Sequence, residues 1–475
     1  MAAVDTALPR STGSVVRAPV ARPAAETTAV DVMAEIFDRN DQREKFIPVT
    51  REALMERLTR PHSWPGQEAA EARRFFRYMD YWRQQTYAAR LFEIEQDYEP
   101  FNPDSDLIIS RTFTRDERFN KRQRLVANMT KLLEQANYTR IDTDKVELIL
   151  TSDSHYGLDL HVDLSAFDEL LVFYRGASKR TENRRNVRKL YLKNEAIDVP
   201  IFQRLCVVFK LKPEEVRIRE VMVERSCNRK EAEKIVKRLR SMLPPQIKSD
   251  FIYLKLFKNM PRSDIEMVFP NTRVRFRMFD KIRLGVTAGS GLGMGVFGTI
   301  GKIAVASNPI ALAGAMVGLC GIAFRQATSF VNQRNRYMVT MAQNLYFHAL
   351  ADNRGVTTLL ASRAAEEDIK EEMLLYSVMA KERVTRRDLG DVDRAIEQYL
   401  LNTFNVTVNF DLEDALSRLL ADGIVTEQDG VFQTLAPAAA ARHIDVKWDK
   451  YLDELPDQTR DEGVEFDRDA GEAAA

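Results

Sequence analysis

Three polar residues in one short segment have the types and spacing of metal ligands. Residues 158–163 alternate strictly between apolar and polar side chains, which predicts a β-strand with Asp159, His161 and Asp163 on one face. Imidazole and carboxylate groups two residues apart on a strand can share a divalent ion, and this set suits zinc, manganese or iron. A strand whose polar face meets water shows the same alternation. The water-facing strand is the simpler interpretation, so we predict no bound metal and keep these residues as candidates.

Nucleotide and hydrolase motifs are incomplete. Residues 293–298 match G-x-G-x-x-G, but no strand pattern precedes them, and Gly301-Lys302 lacks the earlier glycine and the following hydroxyl of a phosphate-binding loop. The chain has five histidines and no G-x-S-x-G elbow. We therefore predict no catalytic residues, no cofactor and a protein that is not an enzyme.

Composition narrows the class of protein. A chain of 475 residues predicts about three domains. Lys plus Arg and Asp plus Glu both number 70, so no net field attracts nucleic acid. Cys206, Cys227 and Cys320 show neither disulfide nor ligand spacing, which argues against a disulfide-stapled secreted protein. Residues 1–30 show no apolar signal segment and predict a disordered tail, with a transit peptide as the alternative.

The stretch 284–324 is the longest apolar one, and it predicts two membrane crossings. Its only charge is Lys302, and one helical crossing needs about 20 apolar residues. A buried pair of core helices is the competing interpretation, but the many glycines disfavour it. Glycines four residues apart allow close helix packing in lipid, and the predicted packing residues are Gly285, Gly289, Gly291, Gly293, Gly295, Gly314 and Gly318.

Basic residues just before this stretch predict its orientation. Positive charge is retained on the cytoplasmic side, so both flanking regions should face one compartment. The same side chains either set orientation only or also bind anionic lipid headgroups; they are Arg273, Arg275, Arg277, Lys281 and Arg283. We predict a bacterial inner membrane, with the mitochondrial inner membrane as the alternative. The predicted partners are membrane lipids, further copies of the chain and an unidentified protein.

Periodicity predicts the elements on either side. Helical spacing or capping residues predict helices at 51–60, 68–96, 117–136, 230–242, 325–352, 392–400 and 412–420, the first behind Thr50 and the last behind Asp411. Short β-branched or aromatic runs predict strands at 146–151, 158–163, 170–174, 205–210 and 251–257. The basic segment 179–189 is interpreted as a solvated loop.

The C-terminal pattern of helix, helix and β-hairpin is typical of a winged-helix-like module. From 389 to 435, nine acidic residues face two basic ones, a net charge of about −7 that DNA would repel. We therefore predict protein docking or packing for this module, and no nucleic-acid partner.

Residues 256–270 read as a strand, a turn at Met260-Pro261, a short helical turn and a stop at Pro270. With the glycine-rich stretch directly after it, this segment resembles the family of the vertebrate mitochondrial transmembrane protein 143. The likeness extends from residues 47–50 to about 448–449. It implies a two-span membrane family without an established activity, and it supplies no catalytic residues.

These patterns predict an α+β membrane protein with a helical and α+β cytosolic region, a two-span α-helical hairpin and a C-terminal helical segment carrying a winged-helix-like module. The expected function is a membrane-anchored binding or scaffold protein. The alternatives are a metal-dependent enzyme using Asp159, His161 and Asp163, or an oligomeric pore built from the hairpin. The predicted divisions are a disordered tail 1–30, a helical region 31–140, an α+β region 141–280, the hairpin 281–326, a helical segment 327–385, the module 386–455 and a disordered acidic tail 456–475.

Overall fold

The computed structural model describes residues 29–37, 44–105, 112–151, 159–185, 194–275 and 345–453, with residues 339 and 343 described singly. Its helices are α1 Ala29–Phe37, α2 Arg51–Leu58, α3 Glu68–Tyr98, α4 Arg115–Gln135, α5 Thr143–Thr151, α6 Glu214–Glu224, α7 Arg229–Arg240, α8 Arg354–Met379, α9 Leu389–Phe404, α10 Leu412–Ala421 and α11 Pro437–Lys450. Its strands are β1 Thr139–Ile141, β2 Asp159–His161, β3 Phe167–Arg185, β4 Asn194–Leu211, β5 Tyr253–Pro261, β6 Arg273–Arg275, β7 Ala349–Asp352, β8 Val425–Gln428 and β9 Val431–Thr434.

One antiparallel sheet of five strands, in the order β1-β3-β4-β5-β7, lies at the centre of the fold. Its residues alternate between two buried faces, because side chains along a strand point to opposite sides. Leu171 and Phe173 pack with α4 on one face, while Val172 and Tyr174 pack on the other. Two smaller sheets, β2-β6 and β8-β9, complete the described strands.

The helices form a second apolar core beside the sheet. This helical core contains buried residues of α2, α9, α10, α11 and the β8-β9 hairpin. The two longest helices contribute to this helical core and also to the apolar core between α4 and the central sheet, which we call the sheet core. Helix α3 contributes Phe75 to the helical core and Ile94 to the sheet core. Helix α8 contributes Met373 to the helical core and Leu360 to the sheet core. Helices α3 and α8 therefore run antiparallel and connect the two cores.

Helix starts follow local capping chemistry. The Thr50 side chain accepts a hydrogen bond from the Ala53 N–H at the start of α2, and Asp411 accepts one from the Asp414 N–H at the start of α10. Both caps confirm predictions from the sequence.

The predicted membrane fold is wrong for the part of the chain that the structure describes. No described helix is both long enough and apolar enough to cross a bilayer. Helices α3 and α8 have the length, but both carry charged residues along their course. The fold class is instead α+β around an antiparallel sheet, and we withdraw the multi-pass assignment to a bacterial or mitochondrial inner membrane. Residues 281–326 lie outside the described residues.

Three local predictions also need correction. Residues 146–151, predicted as a strand, belong to helix α5, and residues 349–352, predicted as helical, form strand β7. The expected loop at 179–189 is strand as far as Arg185, because β3 and β4 continue as a ladder in which Arg184 lies opposite Glu195.

The Tyr98 hydroxyl connects helix α3 to the sheet. It donates to the Ile252 carbonyl oxygen at 2.8 Å, and Tyr98 is buried. We expect Tyr98→Phe to lower the free energy of unfolding by about 1–2 kcal/mol, since it removes a buried hydrogen bond. Tyr81→Phe, on the exposed side of the same helix, is the matched control. Urea denaturation followed by circular dichroism measures both, and equal midpoints would contradict this role for Tyr98.

Candidate functional site

The structure brings part of the predicted metal strand next to part of the predicted headgroup segment. In the β2-β6 ladder, Asp159 lies opposite Arg275 and His161 lies opposite Arg273. The two predictions therefore concern neighbouring strands of one small sheet. The side chains of these four residues are not among those the structure describes, so both predictions remain predictions.

Asp163, the third metal candidate, follows this strand and forms an ion pair with Arg217, whose Nη2 lies 3.4 Å from Asp163 Oδ2. The Asp163 carbonyl oxygen accepts a hydrogen bond from Asn271 Nδ2 at 2.6 Å. The remaining basic candidates and the predicted packing glycines lie outside the described residues; they are Arg277, Lys281, Arg283, Gly285, Gly289, Gly291, Gly293, Gly295, Gly314 and Gly318.

A different set of charged residues is buried in the centre of the protein. Where α8 passes from one core to the other, it buries Glu367, Asp368, Lys370, Glu371 and Glu372, each at most 2% exposed. Charged side chains are almost never fully buried unless they are paired. This turn of α8 therefore requires partners from other elements.

Arg418 of α10 supplies the main partner. Its guanidinium contacts Glu371 at 2.5 Å, Glu372 at 2.9 Å and Asp368 at 3.2 Å, and it also pairs with Asp414. The Tyr87 hydroxyl of α3 donates to the second oxygen of Asp368 at 2.8 Å. A single cation thus holds four carboxylates of α8 and α10 together.

Arg83 of α3 supplies the second partner. Its Nη2 lies 2.7 Å from Glu372 Oε1 and 2.6 Å from Asp422 Oδ2, and Lys447 of α11 contacts the other oxygen of Asp422 at 2.8 Å. We call the whole set the ionic layer; it comprises Arg83, Asp368, Glu371, Glu372, Asp414, Arg418, Asp422 and Lys447.

The ionic layer has the carboxylate spacing of a cation site. Oxygens of Asp368, Glu371 and Asp414 lie within 4.8 Å of one another. Arg418 pairs with all three, however, so its guanidinium neutralises the charge that a metal ion would otherwise neutralise. We therefore interpret the layer as a structural ion-pair network.

Five carboxyl groups in the ionic layer face three cations, and burial changes the titration of two of these carboxyl groups strongly. Burial raises the pKa of Glu371 from its ordinary value of 4.5 to about 8, although Arg418 opposes the shift. Burial likewise raises the pKa of Glu372 to about 7, against the pull of Arg83 and Arg418. Protons on these carboxyl groups reduce the negative excess near neutral pH.

A cavity of about 490 Å³ opens next to this layer, between α1, the segment 44–46, the turn into β1, and β3. We call it the Arg175 pocket after its most buried cation. Its lining combines aromatic, basic and amide side chains, and consists of Ile36, Phe37, Glu44, Lys45, Phe46, Glu134, Asn137, Tyr138, Thr139, Arg140, Tyr174, Arg175, Gly176, Ala177 and Asn409.

Arg175 is held in the pocket by contacts other than an ion pair. It is 9% exposed, its Nη1 donates to the Ala136 carbonyl oxygen at 3.3 Å, and its guanidinium lies 4.0 Å from the centre of the Phe46 ring. Among the described residues no carboxylate forms an ion pair with it. Burial lowers the pKa of Arg175, with Tyr138 and Glu367 acting against that shift.

Local backbone geometry shapes this part of β3. Gly176 adopts φ +74°, and a Cβ there would lie 2.7 Å from the Gln203 side chain, so glycine is required. The left-handed conformation interrupts the alternation of the strand. Tyr174, Arg175 and Ala177 consequently all border the same cavity.

Asn137 connects the pocket to the ionic layer. It lines the cavity, and its Nδ2 donates to Glu371 Oε1 at 3.3 Å. Lys45, at the pocket rim, pairs with Asp411 of the α10 cap at 2.6 Å. The pocket and the layer therefore form one continuous polar region.

Comparison with known families finds a DUF3754 domain, described as a protein of unknown function, at residues 167–355, which is less than half of the chain. The DUF3754 domain includes Arg175, Gly176 and most of the central sheet, whereas Arg83, Glu371 and Arg418 lie outside it. The match assigns no activity, and nothing in it links the chain to the family of transmembrane protein 143. No solved structure matches the chain.

Neither the ionic layer nor the Arg175 pocket was predicted from the sequence. A run such as Glu366 to Glu372 within a helix is typical of a solvated surface, and no local pattern marks it as buried. The one available signal was spacing: Ile369 and Met373 lie four residues apart among these charges. That spacing predicts an apolar stripe but not its ionic neighbours.

We expect Arg418→Met to lower the free energy of unfolding by about 3–5 kcal/mol, because it leaves buried carboxylates without their main partner. Arg394→Met is the control, since Arg394 of α9 is 75% exposed in its ion pair with Asp391. Urea denaturation of both variants checks the prediction. A loss no larger for Arg418 than for Arg394 would show that the ionic layer does not stabilise the fold.

The raised pKa of Glu371 predicts that stability falls with rising pH. The folded protein keeps this proton to about 8, whereas the unfolded chain releases it near 4.5, so the stabilising contribution is full below 4.5 and lost as the pH passes 8. Glu371→Gln should flatten the fall between about pH 5 and pH 8, whereas Glu382→Gln, in an exposed position, should not. Equal slopes in urea denaturation across this range would contradict the assignment.

Proposed function

We propose that the protein is a binding or scaffold protein and that the Arg175 pocket is its ligand-binding site. The observation that carries the proposal is a buried arginine without a carboxylate partner among the described residues, in a cavity of about 490 Å³. Small-molecule sites in proteins typically measure about 300–1,000 Å³ and combine apolar walls with a few polar groups.

The chemistry of the lining supports binding. Its described side chains offer a guanidinium, the Asn137 amide and the rings of Phe46 and Tyr138. None of these lining residues is a serine, cysteine or histidine, the side chains that most often act as nucleophile or general base. A site of this composition can orient a ligand through a cation, an amide and aromatic rings.

The connectivity of the pocket supports a scaffold role. The backbone of Glu44 bridges to Val408, and the Glu44 carbonyl oxygen accepts a hydrogen bond from Asn409 N–H at 3.0 Å. A ligand in the pocket therefore borders the N-terminal segment, the sheet and the segment between α9 and α10 together. Binding to the folded state alone stabilises all three by mass action. The resemblance to transmembrane protein 143 names no activity, and the proposal does not rest on it.

Filling the pocket tests the proposal. Thr139 is an exposed strand residue on the cavity wall, so Thr139→Trp should occupy the space without disturbing a core. Thr426→Trp, at an exposed position in β8, is the matched control. We measure thermal shifts with benzoate, phenyl phosphate, benzamide and benzyl alcohol as probes.

We expect at least one probe to stabilise the unmodified protein and the Thr426 variant, and to lose at least tenfold in affinity for the Thr139 variant. A probe that binds all three proteins equally, or no stabilisation by any probe, would overturn the proposal that this pocket binds a small ligand.

A further inference from the structure

We infer that the ligand of the Arg175 pocket is a small carboxylic acid with a flat, apolar body, its carboxylate paired with the Arg175 guanidinium. This inference rests on the proposed function and deepens it by naming the chemical class of the ligand.

The hydrogen bonds of Arg175 leave room for such a ligand. A guanidinium has five N–H donors in one plane, and one of them is used on the Ala136 carbonyl oxygen. The rings of Phe46 and Tyr138, at 4.0 and 5.1 Å, interact with the cation but provide no in-plane acceptor. A carboxylate matches the planar arrangement of the remaining donors through two parallel hydrogen bonds.

Arg175 is buried, so the absence of an ion pair with any described carboxylate is energetically important. An ion removed from water is destabilising unless another charge or several hydrogen bonds compensate it. Every other deeply buried cation discussed above has a carboxylate: Arg83 and Arg418 lie in the ionic layer, and Lys370 contacts Glu367 at 2.6 Å. Among these four cations, Arg175 alone lines the cavity and forms no ion pair with a carboxylate of the described residues.

The charges around the cavity favour a singly charged ligand. Lys45 is already paired with Asp411, and the other charged residues of the lining, Arg140 and Arg175 against Glu44 and Glu134, have a formal net charge of zero. A carboxylate adds one negative charge to this set and can pair directly with Arg175. A doubly charged phosphate would place a further charge against the two glutamates.

Aromatic walls determine the rest of the ligand. Phe37, Phe46, Tyr138 and Tyr174 line the cavity around Arg175. Aromatic rings pack favourably against other rings in stacked or edge-to-face arrangements. An aromatic or unsaturated acid therefore fits both the cation and the walls.

A carboxylate of the chain itself is the alternative partner. Glu44 lines the cavity, and Arg175 lowers its pKa while burial raises it, so the two groups interact. Glu44 is held by a backbone hydrogen bond from Ala177 and does not form an ion pair with Arg175 in the structure. The other charged groups acting on Arg175 are Glu367, Arg204 and Arg363.

The test compares charged and neutral probes on matched variants of the full chain. Benzoate, phenyl phosphate, benzamide and benzyl alcohol are titrated by calorimetry into the unmodified protein, Arg175→Met, Arg175→Lys and Glu44→Gln. Arg204→Met is the control, because Arg204 lies opposite Arg175 on the neighbouring strand and does not line the pocket.

We expect benzoate to bind more tightly than the neutral probes and than phenyl phosphate. Arg175→Met should weaken benzoate binding by about 10- to 100-fold, the usual effect of losing a hydrogen bond to a charged group. Arg175→Lys should weaken it less, whereas Arg204→Met and Glu44→Gln should retain it. Without ligand, Arg175→Met should be at least as thermally stable as the unmodified protein, because it removes a buried charge.

Benzoate binding that is absent, or unchanged in both Arg175 variants, would overturn the inference. If neutral probes still bind and lose affinity on Thr139→Trp, the proposed function stands without it; if no probe responds to Thr139→Trp, both fail. Tighter binding of phenyl phosphate than of benzoate would overturn the choice of a carboxylate. A large gain in benzoate affinity on Glu44→Gln would show that Glu44 is the partner of Arg175. If Arg175→Met does not fold, Arg175→Lys alone decides.

Discussion

The burial of charge in one turn of α8 is the constraint on which the rest of the structure depends. Glu367 to Glu372 lie where α8 leaves the sheet core and enters the helical core, so these charges have no route to water. Their desolvation is offset only if Arg83 and Arg418 are in position, which requires α3 and α10 to pack against α8 in one register. The layer therefore restricts how the helical core can dock on the sheet.

The buried cation of the Arg175 pocket has different partners from the buried cations around α8. Around α8 the protein pairs its buried cations with carboxylates, and Lys370 also donates to the Ile47 carbonyl oxygen at 2.6 Å. At the neighbouring end of β3, Arg175 faces a cavity, and its partners among the described residues are two aromatic rings and one carbonyl oxygen. The hydrogen bond from Asn137 to Glu371 gives a direct contact between the two regions.

Long amphipathic elements could be predicted from the sequence, and long-range polar contacts could not. Helices α2, α3, α4, α7 and α10 begin within about two residues of the predicted positions, because caps and apolar spacing are local properties. The strand prediction for residues 146–151 was wrong because the segment fits both patterns. Val146, Leu148 and Leu150 fit the alternation of a strand, whereas Val146, Ile149 and Leu150 fit one face of a helix. Six residues are too few to distinguish the two periods. The membrane fold was inferred from the apolar length and glycine spacing of residues 284–324, which lie outside the described residues. The ionic layer joins residues 83, 371 and 418, which are too far apart in the sequence for a helical or strand period to relate them.

The central claim is that Arg175 is a buried cation available to an anionic ligand. NMR of the protein carrying isotope-labelled arginine tests it most directly, through the Nε–H resonance of Arg175 assigned by comparison with Arg175→Lys. Our account predicts that benzoate shifts this resonance saturably and leaves that of Arg204 in place. An Arg175 resonance that does not move at saturating benzoate, or that moves no more than that of Arg204, would contradict the account.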